Sequence, residues 1–354
     1  MAPSERCSGN NRTIPEDVRR ALRAQVNFGC PVTDCGSPYL TYHHFSPPFH
    51  IGRSHEVEGM IAMCLSHHRM ADVGTWSDDQ LREMKRRPFL TGGQVGGRLE
   101  WLRRDVLVEA GGNMALNPGV LLAVGGQRVI WTTRSSDGSL RFNLKIIDHT
   151  GETLLHLEDN EWVVTGPVLD IRAAASANDI RVASPSRGVT VSVTFSSISE
   201  SDCREACEVE AAARADKPVI PPELIAVLPP SLVAASTPTK AQVFNELWAP
   251  FAAANISWPA LHVRVAGKIK YPLPIRFTRS QMTLSDRLTM GGNRLFLPGA
   301  TLISAYMDTE TPAALDATAG TRPERRCSPG APRTASGRGP CARLPGCADR
   351  GPGR

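Results

Sequence analysis

Four residues in two short pairs constrain this chain more than anything else in it: Cys30-x4-Cys35 and, after 28 intervening residues, Cys64-x2-His67. Sulfur and imidazole donors at such spacings can chelate one ion tetrahedrally, and zinc suits that donor set. A shell filled by three cysteines and a histidine leaves no open position for a substrate. The expected metal is therefore structural: Zn2+ clamping a small module that buries too little apolar surface to hold itself together.

The same stretch carries histidines that this ion does not need. Tyr39–Phe45 is rich in β-formers and ends in His43-His44-Phe45 before Pro47-Pro48 breaks it. A polar loop over 46–58 carries His50 and His55, Met60–Met63 reads as a returning strand, and a helix runs from His67 to Asp72 with Gly74 ending it. If the two strands pair antiparallel, His43, His44 and His68 converge. Successive strand side chains point opposite ways, so His43 and His44 can share a site because the strand stops at Phe45.

Flanking signals frame this unit. Thr13 with Glu16 reads as a capping box, and Val18, Ala21, Leu22 and Val26 form an apolar stripe, which predicts a helix over 14–27. Arg19, Arg20 and Arg23 read as its solvated face, with phosphate contact as the sharper option. Ser77 with Gln80 is a second capping box and Trp76 with Leu81 a hydrophobic staple, predicting a helix that runs to about Arg87 and stops at Pro88.

Together these residues resemble the HNH endonucleases of the ββα-metal superfamily, in the branch that carries an added zinc knuckle. In that pattern an Asp or His followed by His lies on the first strand, an Asn precedes the final Cys pair and a His follows it. The resemblance covers roughly residues 13–87. It implies an α+β fold opening on a ββα-metal, treble-clef-like module over 13–90. It also implies that His44 is the general base, and that His43 and His68 hold a catalytic divalent ion, Mg2+ or Mn2+. Two imidazoles in place of an imidazole and a carboxylate would shift preference from Mg2+ toward Mn2+ or softer ions. Asp72, one turn after His68, would be an extra ligand or a partner behind the ligands. Where the family has Asn, this chain has Gly59, which has no side chain to brace the loop; His55 is the nearest replacement.

The rest of the chain adds a body without a catalytic constellation. Gly92-Gly93 and Gly96-Gly97 mark a linker over 91–97. From 98 to 200, β-type runs recur near every ten residues, predicting a sandwich, barrel or stacked-strand domain. Residues 201–320 read as a weakly defined α/β and Pro-rich region, where Cys203 and Cys207 are better placed as core than as ligands. Net charge is +5, but residues 321–354 hold eight Arg against Glu324 and Asp349, leaving −1 for the other 320. Bulk charge therefore says little about the folded part. That tail, with six Gly and six Pro, is expected to be disordered, as are residues 1–12, and Cys327, Cys341 and Cys347 are not counted as ligands. No apolar run is long enough for a membrane span and the N-terminus lacks a signal-peptide core, so a cytoplasmic protein without a membrane partner is expected.

The function expected on this basis is metal-dependent hydrolysis of phosphodiester bonds in DNA, double-stranded by preference, with oligomeric state open. The alternative is a non-catalytic zinc-finger-type module, degenerate at Gly59, that binds nucleic acid without cutting. The geometry of His43 and His68 discriminates, because only nitrogens within reach of one ion can share it.

Overall fold

The computed structural model describes residues 13–305 except 92, 221, 286–287, 292–293 and 297–300. The expected disorder of 1–12 and 321–354, and the three tail cysteines, lie outside the described residues. The chain is mixed α+β, mostly sheet with few helices.

Helix α1 (Glu16–Gln25) is two residues shorter at each end than the stripe predicts. Pro15, rather than the expected Thr13, is its N-cap, and Glu16, in the first turn, pairs with Arg19 and Arg23. After Asn27 and Phe28, both left-handed, the chain reaches Cys30. Strands β1 (Leu40–His44) and β2 (Met60–Cys64) pair antiparallel, with Thr41 opposite Met63 and His44 opposite Met60. Between them lies α2 (Phe49–Gly52) and a tight turn over Val57–Gly59.

Helix α3 (Leu65–Asp72) follows β2 directly. It ends in a Schellman turn: Gly74 takes φ 76°, its N–H donates to Ala71 O (2.9 Å) and Thr75 N–H donates to Met70 O (3.1 Å). Helix α4 (Asp78–Arg86) opens on Ser77 and Gln80 with both capping-box bonds formed, as the sequence predicts. Met60–Met63 of β2 are fully buried, and with Leu22, Val26, Leu40, Phe45, Ala71 and Leu81 they form the core of this region. Burying each large side chain contributes roughly 1.5–3 kcal/mol.

The stretch read as a linker is a strand, β3 (Gln94–Arg98), at the edge of a seven-stranded sheet and paired with Glu161–Thr165. Its glycines serve close approach rather than freedom: a Cβ at Gly96 would lie 2.6 Å from Trp162 O, and one at Gly97 2.9 Å from Tyr39 OH. The strands that follow are β4 (Val106–Ala110), β5 (Asn113–Leu116), β6 (Val120–Val124), β7 (Gln127–Arg134) and β8 (Leu140–Ile147). Then come β9 (Thr153–Glu158), β10 (Glu161–Thr165), β11 (Asp170–Ala173), β12 (Asp179–Ser184) and β13 (Val189–Ile198).

The β-rich body does not end near residue 200. Four helices, α5 (Glu200–Arg214), α6 (Pro222–Ile225), α7 (Pro230–Ala235) and α8 (Lys240–Ala253), lead into β14 (Ala260–Ile269). This long strand pairs antiparallel with β13 on one side, while on the other its first half pairs in parallel with β4 and its last residues with β15 (Ile275–Phe277). The ten-stranded sheet thereby joins residues 106–116 to residues 170–296, with β4 paired to β5 on one side and to β14 on the other. The two large sheets share one core, in which Phe142 of β8 meets Phe195 of β13 edge to face. Cys203 and Cys207 are buried on α5, in a core with Val243, Leu247 and Phe251 of α8, as expected for packing residues.

Arg23 corrects the reading of α1. It is 1% exposed, and its guanidinium donates to both carboxylate oxygens of buried Asp170 on β11 (2.9 and 2.7 Å), to Tyr42 OH (2.6 Å) and to Glu16 (2.8 Å). Burial works against its charge, but Asp170, Tyr42 and Glu16 outweigh it and raise the guanidinium pKa. Tyr39 makes a second tie: its hydroxyl donates to Arg98 O and accepts from Trp162 Nε1 (3.2 Å).

Candidate metal centre

Cys30, Cys35, Cys64 and His67 come together with one donor atom each, all within 4.8 Å of one another. Cys35 and Cys64 sulfurs are 3.8 Å apart, and His67 Nδ1 lies 3.2 Å from Cys30 and 3.3 Å from Cys64. Bonds of about 2.3 Å to sulfur in a tetrahedron make an S···S edge of roughly 3.8 Å, so the four residues could hold a metal ion. Local structure delivers them. Asp34 and Gly36, both at positive φ, bend the turn that presents Cys30 and Cys35, Cys64 is the N-cap of α3, and His67 sits in its first turn. Burial, with Cys64 and Cys35 adding to it, holds the Cys30 thiol well above its usual pKa. A cation is what lets several thiolates share such a site.

A second cluster lies on the other side of α3. His43, His68 and Asp72 also bring one donor atom each within 4.8 Å. Asp72 Oδ1 is 3.0 Å from His43 Nδ1 and 3.5 Å from His68 Nε2. Adjacent residues on a helix point about 100° apart, so His67 and His68 serve different clusters, while His68 and Asp72, one turn apart, share a face. Asp72 thus stands among the donors rather than behind them. Burial first, then His68, lowers the His43 pKa against the opposing pull of Asp72, which favours the neutral, ligating imidazole.

His44 is not one of the three. As the last residue of β1 its side chain turns toward the loop, where Nε2 lies 3.0 Å from His55 Nδ1 and the ring packs against Phe49. Phe49 in turn stacks on His55. Burial, then the neighbouring His55, pushes the His44 pKa down to about 4, so at neutral pH this imidazole is unprotonated and a weaker base than a free one. His43, His44, His68 and Asp72 line one open cleft of about 720 Å³ with Phe49 and Trp76. A larger cavity, about 1030 Å³, lies in the β body around Glu109, His262 and Arg264. There Glu109 accepts from both His262 and Arg264, and among the described residues the metal-type donor groups lie elsewhere, so the smaller cleft is the candidate site.

Gly59 does not leave the loop unbraced. Its carbonyl accepts from Phe45 N–H (2.9 Å) and Ser46 N–H (3.1 Å), tying the end of β1 to the start of β2. A Cβ at this position would lie 1.9 Å from Ser46 O, so the backbones approach too closely for any side chain. His55, the nearest replacement brace by sequence, contacts His44. The α4 cations serve structure: Arg82 donates to Ser46 Oγ (2.9 Å) and Lys85 to Val57 O (2.6 Å), while Arg86 and Arg87 pair with Glu83.

Sequence reasoning missed Thr41, whose Oγ1 lies 2.9 Å from His68 Nδ1; strand alternation, placing residues 41 and 43 on one face, was the available signal. It also missed Phe49, for which a lone aromatic in a polar loop gave none. Among the described residues no helix is long and apolar enough to cross a membrane. No family model, no curated protein and no solved structure matches this chain.

Proposed function

We propose that this protein is a metal-dependent endonuclease of HNH type, hydrolysing phosphodiester bonds in DNA, with a structural Zn2+ held by Cys30, Cys35, Cys64 and His67. One observation carries the reading: a second donor set, His43, His68 and Asp72, lies beside a neutral His44 in an open cleft. A purely structural zinc module has no use for that arrangement. Three donors on one side of an ion leave positions for water and a phosphate oxygen, unlike the filled four-residue shell. The donor set, two imidazoles and one carboxylate, favours a first-row divalent ion such as Mn2+ over Mg2+.

A divalent ion bound there would stabilise charge on the phosphate and the leaving oxygen. The protein's own part is acid–base work and placement. His44, kept unprotonated by burial and by His55, accepts the proton of the attacking water. His55 and Phe49 hold the His44 ring, and the Gly59 carbonyl fixes the strand end from which His43 and His44 diverge. DNA is the partner this reading requires, and the open cleft suits a strand lying across the surface.

The test is plasmid nicking by the purified protein across a divalent-metal panel, beside His44→Ala. The wild type should nick supercoiled DNA with Mn2+ or Mg2+. His44→Ala should lose at least about a hundredfold in rate with zinc content unchanged. Retained cleavage in that variant removes His44 from the mechanism. Wild-type binding to DNA without cleavage under any metal supports the non-catalytic zinc-module alternative instead.

A further inference from the structure

We propose that Thr41 is a positioning residue that fixes the tautomer of His68, leaving Nε2 free to take a cation. The inference rests on reading His43, His68 and Asp72 as a metal site, and the device it describes lies outside that donor set.

Thr41 stands two residues before His43 on β1, on the same face, and opposite Met63 in the hairpin. Its Oγ1 lies 3.1 Å from Met63 O and 2.9 Å from His68 Nδ1. A hydroxyl has one proton and an amide carbonyl has none to give. Both contacts are hydrogen bonds at once only when the hydroxyl donates to Met63 O and turns a lone pair toward His68, with the hydrogen on Nδ1, and that is the arrangement proposed. In the neutral imidazole the lone pair then sits on Nε2, the nitrogen that faces Asp72 Oδ1 at 3.5 Å. The opposite tautomer would put a hydrogen where the ion belongs. Ligating histidines elsewhere gain orientation and basicity when their second nitrogen donates to a fixed acceptor, and loss of that acceptor lowers metal affinity about 10–100-fold.

Shape alone does not call for a hydroxyl at position 41. Valine has the same branched form and a comparable strand preference, so Thr41→Val removes the acceptor with little change in bulk. Thr41→Ser keeps it.

The experiment titrates Mn2+ into the full-length, zinc-loaded protein by electron paramagnetic resonance, comparing wild type, Thr41→Val, Thr41→Ser and Asp72→Ala. Nitrogen NMR of the Mg2+-loaded wild type reads the His68 tautomer directly. The expected result is wild-type binding lost in Asp72→Ala, weakened about 10–100-fold in Thr41→Val, and kept in Thr41→Ser, with His68 protonated on Nδ1. Should Thr41→Val bind Mn2+ like the wild type while Asp72→Ala does not, the role of Thr41 is overturned and the metal site stands. Should the wild type bind no Mn2+, both fall together. If Thr41→Val does not fold, the NMR arm decides alone: a hydrogen on Nε2 of His68 overturns the proposal.

Discussion

Residues 30–72 gather seven metal-type donors around one hairpin and helix, whereas the body from β3 onward closes two sheets over an apolar core to which most of its strands contribute. Short elements cannot bury enough surface to offset the entropy of ordering them. In the first region a small apolar core is joined by four donors that could hold a metal ion, and on the proposed reading that ion supplies the missing stability. In the second, stability is spread over many Val, Ile and Leu contacts, where a single-methyl change such as Ile→Val costs only about 0.5–1.5 kcal/mol. On the proposed reading, concentrating the load in four donors leaves other side chains of the hairpin free for chemistry, where His43, His68 and Asp72 come together beside His44.

The sharpest way to break this contrast is Cys64→Ser. It should release the metal and unfold residues 13–90, since structural zinc supplies on the order of 10 kcal/mol in small modules, while the β body keeps its sheet signal. Metal analysis, limited proteolysis and circular dichroism report the two regions separately, and a folded, zinc-free, active variant contradicts the division. The next largest effect is expected where the regions meet. Arg23→Met leaves buried Asp170 with only the more distant Arg20 (3.8 Å) and should cost about 3–5 kcal/mol in urea unfolding, with Asp170→Leu added to it recovering much of the loss. A single variant within about 0.5 kcal/mol of wild type would mean that the pair contributes no more than a surface bridge. Smallest in stability is Gly59→Asn, which restores the residue type of the HNH pattern. The side chain meets Ser46 O, so a destabilisation of about 1–3 kcal/mol and slower nicking are expected. Equal stability with faster cleavage would show that the Gly59 carbonyl is a poor brace.

The parts legible in the sequence are those whose cause is local. Cys30-x4-Cys35 and Cys64-x2-His67 declare a chelate because ligand geometry limits spacing. Ser77 and Gln80 declare the start of α4 because both bonds form within one turn, and Gly74 ends α3 because a Schellman turn needs positive φ. His43, His44 and His68 stand out as a surplus over the zinc ligands. What the spacing does not reveal is how the surplus divides: His68 and Asp72 join His43, while His44 turns to His55 and Phe49. That division depends on where β1 stops and on how the loop over 46–59 folds back.

Sequence by itself determined the donors, the hairpin and helix that carry them, and the β character of the body, because each follows from side-chain chemistry and periodicity within a few residues. Tertiary structure alone decided that Arg23 is buried against Asp170, that Gly96 and Gly97 sit in an edge strand rather than a flexible linker, and that Gly59 braces through its carbonyl. The physical reason is distance along the chain. Arg23 and Asp170 are 147 residues apart, and nothing local to either one encodes whether a charge meets water or a partner, or whether a glycine supplies freedom or room.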